Sequence, residues 1–392
     1  MIRGSLAELS LDKWLQWSKE QPNFTNNSFL SKIDDVSMEI TTLTGFDHEL
    51  SDVSYSINKD AQGWQINLNS KQTGLGNIYL PNDFKGPASL DIKLEKLSVT
   101  LAEKEGEIIE TRALWPAMNI AIQALTINDL DLGLVQVNAS RTEQQWLLNS
   151  ASIDTKEFKA SLSGSSWNKI PNGDYSQLKL KLTSDNLAGA LAQLGYQQSI
   201  EADKTSLNAN INWPANPFEL SREILNGDFD LEVGKGKLND VEPGAAGRIF
   251  GLISITSLPR LLSLNFNDIF SKGFVFDSIS SSFNLKNGIA TTDDFILKGP
   301  SAEIEISGEV DLVKELYDQE VKITPNVSST LPVAGAVAGG PIGLGVGTAI
   351  LLADKLVGSL FGKNIVNLIS YKYNLAGAWD SPEFTVAQPK QQ

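Results

Sequence analysis

The sequence predicts a mainly β protein whose antiparallel sheet is apolar on one face and polar on the other. Apolar and polar side chains alternate in many short runs, Asn-Gly pairs separate several of these runs, and few stretches have helical spacing. One-faced alternation of this kind is typical of antiparallel strands. A different kind of segment occupies residues 331–361, which are apolar and rich in glycine.

The alternating runs define the predicted strands. Their apolar members include Trp64, Ile66 and Leu68; Leu90, Ile92 and Leu94; Leu178, Leu180 and Leu182; Leu207, Ala209, Ile211 and Trp213; Phe229, Leu231 and Val233; Phe283 and Leu285; and Ile304, Ile306, Val310 and Leu312.

Two details of the pattern predict where strands bend and turn. After Leu94 the apolar positions change parity at Leu97, which predicts a bulge or bend because the apolar face would otherwise turn outward. The pairs Asn172-Gly173, Asn226-Gly227 and Asn287-Gly288 predict hairpins or turns between strands.

The alternation leaves open what covers the apolar face. A second sheet would make a sandwich, and on general grounds we favour this arrangement. The other solution is a curled sheet whose concave apolar face holds an apolar ligand. The first 240 residues contain too few helical patterns to cover the face in another way.

Four helical segments are expected. A short amphipathic helix near residues 12–19 begins at Asp12, and a second helix ends at Gly195. A third, near residues 243–262, either packs on the sheet or closes the end of an apolar groove. The residues expected to line or close that groove are Ile249, Phe250, Leu252, Ile253, Leu258 and Leu261.

The fourth helical segment, near residues 331–362, carries no charge before Asp354. Its glycines recur at four-residue intervals, as in tightly packed membrane helices, but Gly339-Gly340-Pro341 interrupts a single span. We therefore expect two short helices that form a hairpin and return the chain to the sheet. The residues expected to contact a membrane are Leu331, Val333, Val337, Ile342, Leu344, Val346, Ile350, Leu351, Leu352, Leu360 and Phe361.

Composition excludes several classes of function. The net charge of -15 argues against nucleic acid, which needs basic residues to neutralise its phosphates. With no cysteine, thiol catalysis and thiolate metal sites are excluded, and the one histidine, His48, cannot build a histidine-rich site. Neither a phosphate-binding glycine loop nor a Gly-x-Ser-x-Gly elbow is present. We therefore expect no enzyme, no cofactor and no metal site.

Several segments resemble the C-terminal region of the YhdP family, which are large AsmA-like proteins of the Gram-negative envelope. The resemblance is carried by these stretches: Asn239 to Gly244, Leu258 to Leu264, Phe266 to Phe270, Lys272 to Asp277, Gly299 to Ala302, Ile306 to Gly308, Thr324 to Pro341 and Tyr373 to Pro382.

The resemblance implies a long, curled β-sheet whose apolar groove carries phospholipid between the inner and outer membranes. It implies an N-terminal inner-membrane anchor missing from this chain, a periplasmic body, and a C-terminal hairpin that meets the outer membrane. Residues 1–215 would be a β-groove segment and residues 216–392 the AsmA-like C-terminal region. The chain is thus expected to be the C-terminal piece of a longer protein. The alternative is a structural or assembly protein of the envelope that transports nothing.

Overall fold

The computed structural model describes residues 2–13, 35–45, 48–83, 88–100, 116–142, 145–170, 173–215, 219–239, 274–326 and 370–387. Within these residues the protein is mainly β, as the alternation predicted, with an unclosed mixed sheet of 20 strands and a separate sheet of three. It divides into two compact units, residues 1–178 and 179–392. The domain division after residue 215 that the sequence suggested stays a prediction.

The first unit contains β1 (Ile2–Ser10), β2 (Asp35–Gly45), β3 (His48–Lys59), β4 (Gly63–Ser70), β5 (Gly74–Pro81), β6 (Leu90–Leu94), β7 (Leu97–Val99), β8 (Met118–Ile127), β9 (Leu130–Arg141), β10 (Gln145–Asp154) and β11 (Lys159–Ile170). The strand β12 (Gly173–Ser184) crosses the boundary between the units.

The second unit contains α1 (Leu187–Gln193), β13 (Ile200–Ala202), β14 (Thr205–Trp213), a 3₁₀ helix (Arg222–Ile224), β15 (Asn226–Val233), β16 (Gly236–Leu238), β17 (Phe274–Phe276), β18 (Ser278–Lys286), β19 (Ile289–Lys298), β20 (Ala302–Asp311), β21 (Leu316–Pro325), β22 (Tyr371–Ala378) and β23 (Glu383–Val386). The small sheet consists of β13, β16 and β17.

The sheet is mostly antiparallel, as predicted, but three pairings of the first unit are parallel. Strands β2 to β6 pair in sequence and antiparallel, as do β8 to β11. However, β1 pairs parallel with β2, and both β6 and β7 pair parallel with β8. Parallel partners need a long connection, and such a non-local pairing leaves no mark on the alternation of a single strand.

The predicted change of phase after Leu94 is confirmed as a bend between β6 and β7. Leu94 is opposite Ile122 of β8, and Leu97 is opposite Leu125, so β8 makes the same change of parity. The bend keeps its backbone hydrogen bonds because the Glu95 amide donates to the Leu75 carbonyl over 2.9 Å. Leu94, Ile122 and Leu125 consequently form one buried cluster on a single face.

The three Asn-Gly pairs differ in outcome. Asn287 and Gly288 have φ values of 50° and 77° and form the tight turn between β18 and β19, which confirms that prediction. Asn226-Gly227 instead begins β15, so the turn predicted there is wrong. A Cβ on Gly227 would collide with the Asn210 carbonyl, which shows that the glycine permits close strand packing. Asn172 lies outside the described residues.

The helix predicted to end at Gly195 is confirmed as α1. The Asn186 side chain caps its N-terminus by accepting a hydrogen bond from the Gly189 amide over 3.2 Å. At the other end, the Gly195 amide donates to the Ala192 carbonyl and the Tyr196 amide to the Leu191 carbonyl, with Gly195 at a φ of 80°. This pattern is a Schellman motif, which needs a left-handed residue at the position of the glycine.

Most of the other expected helices lie outside the described residues. Residues 11–13 are helical, and the remainder of the helix near residues 12–19 lies beyond them. The helices near residues 243–262 and 331–362 also fall outside that set. Among the helices that the structure describes, none combines the length and apolarity needed to cross a membrane.

The second unit has a closed hydrophobic core. Side chains of β19 to β22 lose nearly all their solvent exposure: Leu297, Ile304, Val321 and Leu375 each have a relative exposure of 0%. Leu187 and Leu191 of α1 and side chains of the three-stranded sheet belong to the same core. The apolar face of this unit is therefore filled by protein.

Candidate functional site

The first unit carries a row of isoleucines across five neighbouring strands. Ile57 of β3 is opposite Ile66 of β4, which is opposite Ile78 of β5, then Ile92 of β6 and Ile120 of β8. Directly opposed residues place their side chains on the same face of a sheet. We call these five residues the isoleucine row; it continues into Val36 of β2 and Val137 of β9.

A second apolar row runs beside the first on the same face. It passes through Met38, Tyr55, Leu68, Gly76 and Leu94, which are opposed in register from β2 to β6. Because side chains alternate along each strand, the residues between the two rows project from the other face. The two rows together make a continuous apolar face, and we use that name for it below.

The apolar face differs from the core of the second unit in its exposure. All five side chains of the isoleucine row are half-buried, as are Val36 and Val137 at its ends. An opposed apolar row of the second unit, which includes Leu297, Ile304 and Ile323, is completely buried instead. The apolar face of the first unit thus keeps part of its surface open to a further contact.

One side of the apolar face is bordered by basic residues paired with tryptophan. Lys59 lies one same-face position beyond Ile57 and directly opposite Trp64, and its Nζ sits 4.8 Å from the centre of the Trp64 ring. Arg141 lies opposite Trp146 on β9 and β10. The buried Trp146 ring donates through Nε1 to the Pro116 carbonyl over 3.1 Å. We call these four residues the basic rim.

At the other side of the apolar face, near β2 and β3, the charges balance because Lys71 Nζ is paired with Asp52 over 2.7 Å. Here Ile40 is opposite Val53, and their exposed fractions are only 2% and 3%. On β4, Ser70 accepts a hydrogen bond from the Thr73 amide over 3.0 Å at the same side. The apolar face therefore has a basic border on one side and an apolar border, formed by Ile40 and Val53, on the other.

The opposite face of the same sheet is polar. An open depression of about 820 Å³ crosses β2 to β6 and β8 on this face. Its lining includes residues of the second row such as Leu68, but on each strand from β2 to β6 it also includes the residues on either side, such as Asn67 and Asn69. On β8 it includes Ala121 and Gln123 without Ile122, and it contains no member of the isoleucine row, which assigns it to the polar face. Asparagines bridge neighbouring strands here, with Asn77 Nδ2 donating to Asn67 Oδ1 over 2.8 Å. These amides satisfy one another and tie the strands together.

The described residues offer little for chemical catalysis. They contain no group of three acidic or histidine side chains that could hold a metal ion. On the apolar face, burial raises the pKa of Tyr55, so its hydroxyl stays neutral at physiological pH. The face can bind an apolar chain by contact, without a covalent step.

The site residues chosen from the sequence fall outside this arrangement. The groove candidates between Ile249 and Leu261 and the membrane candidates between Leu331 and Phe361 lie outside the described residues, and they stay predictions. The isoleucine row and the basic rim were missed as a site. The alternation of Ile66 and Ile92 was visible, but the register that aligns them on neighbouring strands was not.

Comparisons with known proteins agree with the resemblance seen in the sequence. The model of the YhdP protein family matches residues 1–384. The chain is also 29% identical over 280 residues to the intermembrane phospholipid transporter YhdP of Escherichia coli (strain K12), covering 71% of this chain and 22% of that protein. No solved structure matches the chain. The chain belongs to the YhdP family.

Proposed function

We propose that this chain is part of an intermembrane phospholipid transporter and that acyl chains move along the apolar face of its first unit. The main observation in support of this proposal is the half-buried isoleucine row, which continues without a polar interruption from β3 to β8. The Escherichia coli relative is an intermembrane phospholipid transporter, and this suggests phospholipid as the substrate class.

The energetics of such a face suit transport. Removing an acyl methylene from water contributes about 0.8 kcal/mol, so a few contacts hold a chain on the face. Each step along the row exchanges one isoleucine contact for another of the same kind, which keeps the barriers between positions small. A passive track of this type equilibrates its two ends, so direction has to come from another source.

The wider arrangement in the envelope is also a proposal. The periplasmic location, an inner-membrane anchor outside this chain and an outer-membrane contact through residues 331–361 follow from family membership and from the apolar composition of that segment. The chain spans about a fifth of the length of its Escherichia coli relative, 22%, so it would form one section of the whole transporter.

Site-specific photocrosslinking tests the central claim. A photoreactive amino acid at Ile78 should capture phospholipid when the protein is made in cells, and mass spectrometry of the adduct identifies the lipid. The matched control is Asn77, the preceding residue, whose side chain lies on the polar face. Lipid at position 78 but not at position 77 is expected. Equal capture at both positions, or none at 78, overturns the proposal.

Lipid extraction separates transport from a purely structural role. The purified chain, washed in detergent-free buffer, should retain phospholipid that mass spectrometry detects at a stoichiometric ratio or higher. A stable, lipid-free protein would favour the alternative of an envelope assembly protein.

A further inference from the structure

We propose that the basic rim, through Lys59 and Trp64, binds the phosphate of a phospholipid whose acyl chains lie on the isoleucine row. This inference rests on the proposed function and adds an orientation to it: head groups on the Lys59 side, and tails across the apolar face.

Lys59 lies at the edge of the apolar face, where a lipid head group could reach it. It shares the apolar face with Ile57, two residues earlier on β3, and successive same-face residues of a strand are about 7 Å apart. A ligand with a tail on Ile57 and Ile66 therefore has its polar end within reach of the ammonium group. An ammonium group at the edge of an apolar surface is the natural counter-charge for a phosphate.

The ammonium group of Lys59 lies over the ring of Trp64. The Lys59 Nζ lies 4.8 Å from the centre of the ring, within cation–π range. A lysine placed in this way can cover apolar surface with its aliphatic part while its charge reaches water. Tryptophan is suited to such a boundary because one side of it is apolar and its N–H is polar. The pair thus presents a charge and a flat apolar wall at the same point.

A second pair of a basic residue and a tryptophan lies on the Lys59 side of the apolar face. Arg141 and Trp146 occupy opposed positions on β9 and β10, beyond Val137 and Ala139 on the apolar face. Trp146 packs with Met118 and Leu148 in a cluster that also includes Ile120 of the isoleucine row. A second pair of basic residue and tryptophan therefore borders the row several strands from the first. A lipid could pass from one to the other without turning over.

The border of the apolar face opposite Lys59 differs in character from the basic rim. There, the pair Ile40 and Val53 is apolar and almost fully buried. In a chain with a net charge of -15, a side bordered by lysine and arginine is the one complementary to an anionic head group. The charge distribution commits the proposal to one orientation of one ligand, a phosphate-bearing lipid.

The test compares two lipids that differ only in their head group. Phosphatidylcholine vesicles carry a small fraction of either phosphatidylglycerol or diacylglycerol, each with the same diazirine-bearing acyl chain. After irradiation with the purified chain, the ratio of the two crosslinking yields measures the preference for the phosphate. Lys59→Gln should lower this ratio about fivefold, within the range for one lost charge-assisted contact. Lys59→Arg should restore it.

The matched control is Lys93→Gln, because Lys93 is an exposed lysine on the polar face of the same sheet. It should leave the ratio unchanged. An unchanged ratio in Lys59→Gln with normal lipid capture overturns the orientation and leaves the transport proposal standing. Absence of capture of either lipid by the unaltered protein overturns both. Circular dichroism of each variant verifies that the fold is retained.

Discussion

Leu94 occupies the space that a side chain on Gly76 would need: its Cδ2 atom lies 2.6 Å from the position of a Cβ built on that glycine. Leu68 closes the same space from the neighbouring strand, with its Cγ atom 3.1 Å from that position. The glycine is thus the small residue that lets two leucines meet on the apolar face.

Gly76→Ala should destabilise the first unit by about 1–2 kcal/mol, because the added methyl group overpacks the contact with Leu94. Native-state hydrogen exchange of β5 and β6 measures the loss. The matched control is Gly4→Ala, in the same row on β1, where the nearest atom to the added Cβ is the Met38 sulfur at 3.6 Å. Equal protection in both variants would contradict the packing argument.

Phe283→Ala should destabilise the second unit by about 3–5 kcal/mol, since it removes a buried ring and leaves a cavity. Phe283 is directly opposite Phe229, and the two rings are stacked with centroids 4.6 Å apart. Urea unfolding followed by circular dichroism gives the change. Val275→Ala is the comparison, because Val275 is 54% exposed in the same unit and should cost within about 0.5 kcal/mol.

Asp294 should make the second unit less stable in acid. Burial raises the pKa of this carboxyl group, but hydrogen bonds outweigh that effect and lower the pKa below its ordinary value. The Ser282 amide donates to Oδ1 over 2.8 Å, and the Thr292 hydroxyl over 3.1 Å. Because the folded protein favours the carboxylate, the stabilisation is fully present above the unfolded pKa of about 3.9 and is lost as the pH falls through the folded value.

Urea midpoints measured between pH 6 and pH 2 check this prediction. Asp294→Asn should flatten the acid part of the profile relative to the unaltered protein. The control is Asp293→Asn at the neighbouring exposed position, which should leave the profile as it is. A profile for Asp294→Asn as steep as that of the unaltered protein would assign the acid sensitivity to other groups.

Replacing Val337 and Leu351 by aspartate should abolish association of the protein with membranes. Charges in the uncharged, apolar stretch of residues 331–361 would oppose its entry into an apolar environment. Flotation with phospholipid vesicles measures the association. Ser328→Asp with Ser329→Asp, just before the apolar stretch, adds the same charge and should bind normally. Unchanged binding of the first variant would contradict membrane contact through this segment.

The sequence predicted the strands well because alternation is a local property. Ile66 and Ile92 were assigned to one-faced strands, and the phase change after Leu94 was found as a bend, since each depends on a few adjacent residues. Gly227 was misread because a glycine needed for close strand approach looks the same in sequence as a glycine needed for a turn.

The candidate site was harder to predict because it depends on register. No local signal indicates that Ile78 of β5 lies opposite Ile92 of β6, or that β6 lies beside β8 in the parallel sense. Lys59 and Trp64 are close in the sequence, but they become a candidate head-group site only because Ile57 and Ile66 lie beside them on the same face.

The antiparallel order of β3 to β6 has a consequence for how this molecule can change in size. Each strand adds one rung to the isoleucine row, and neighbouring strands are about 4.8 Å apart. Inserting a hairpin therefore lengthens the row by about 10 Å and restores the chain direction, so the strands on either side keep their partners and faces. The length of the isoleucine row is thus modular, because it can change in steps of two strands while the remaining strand pairings are kept.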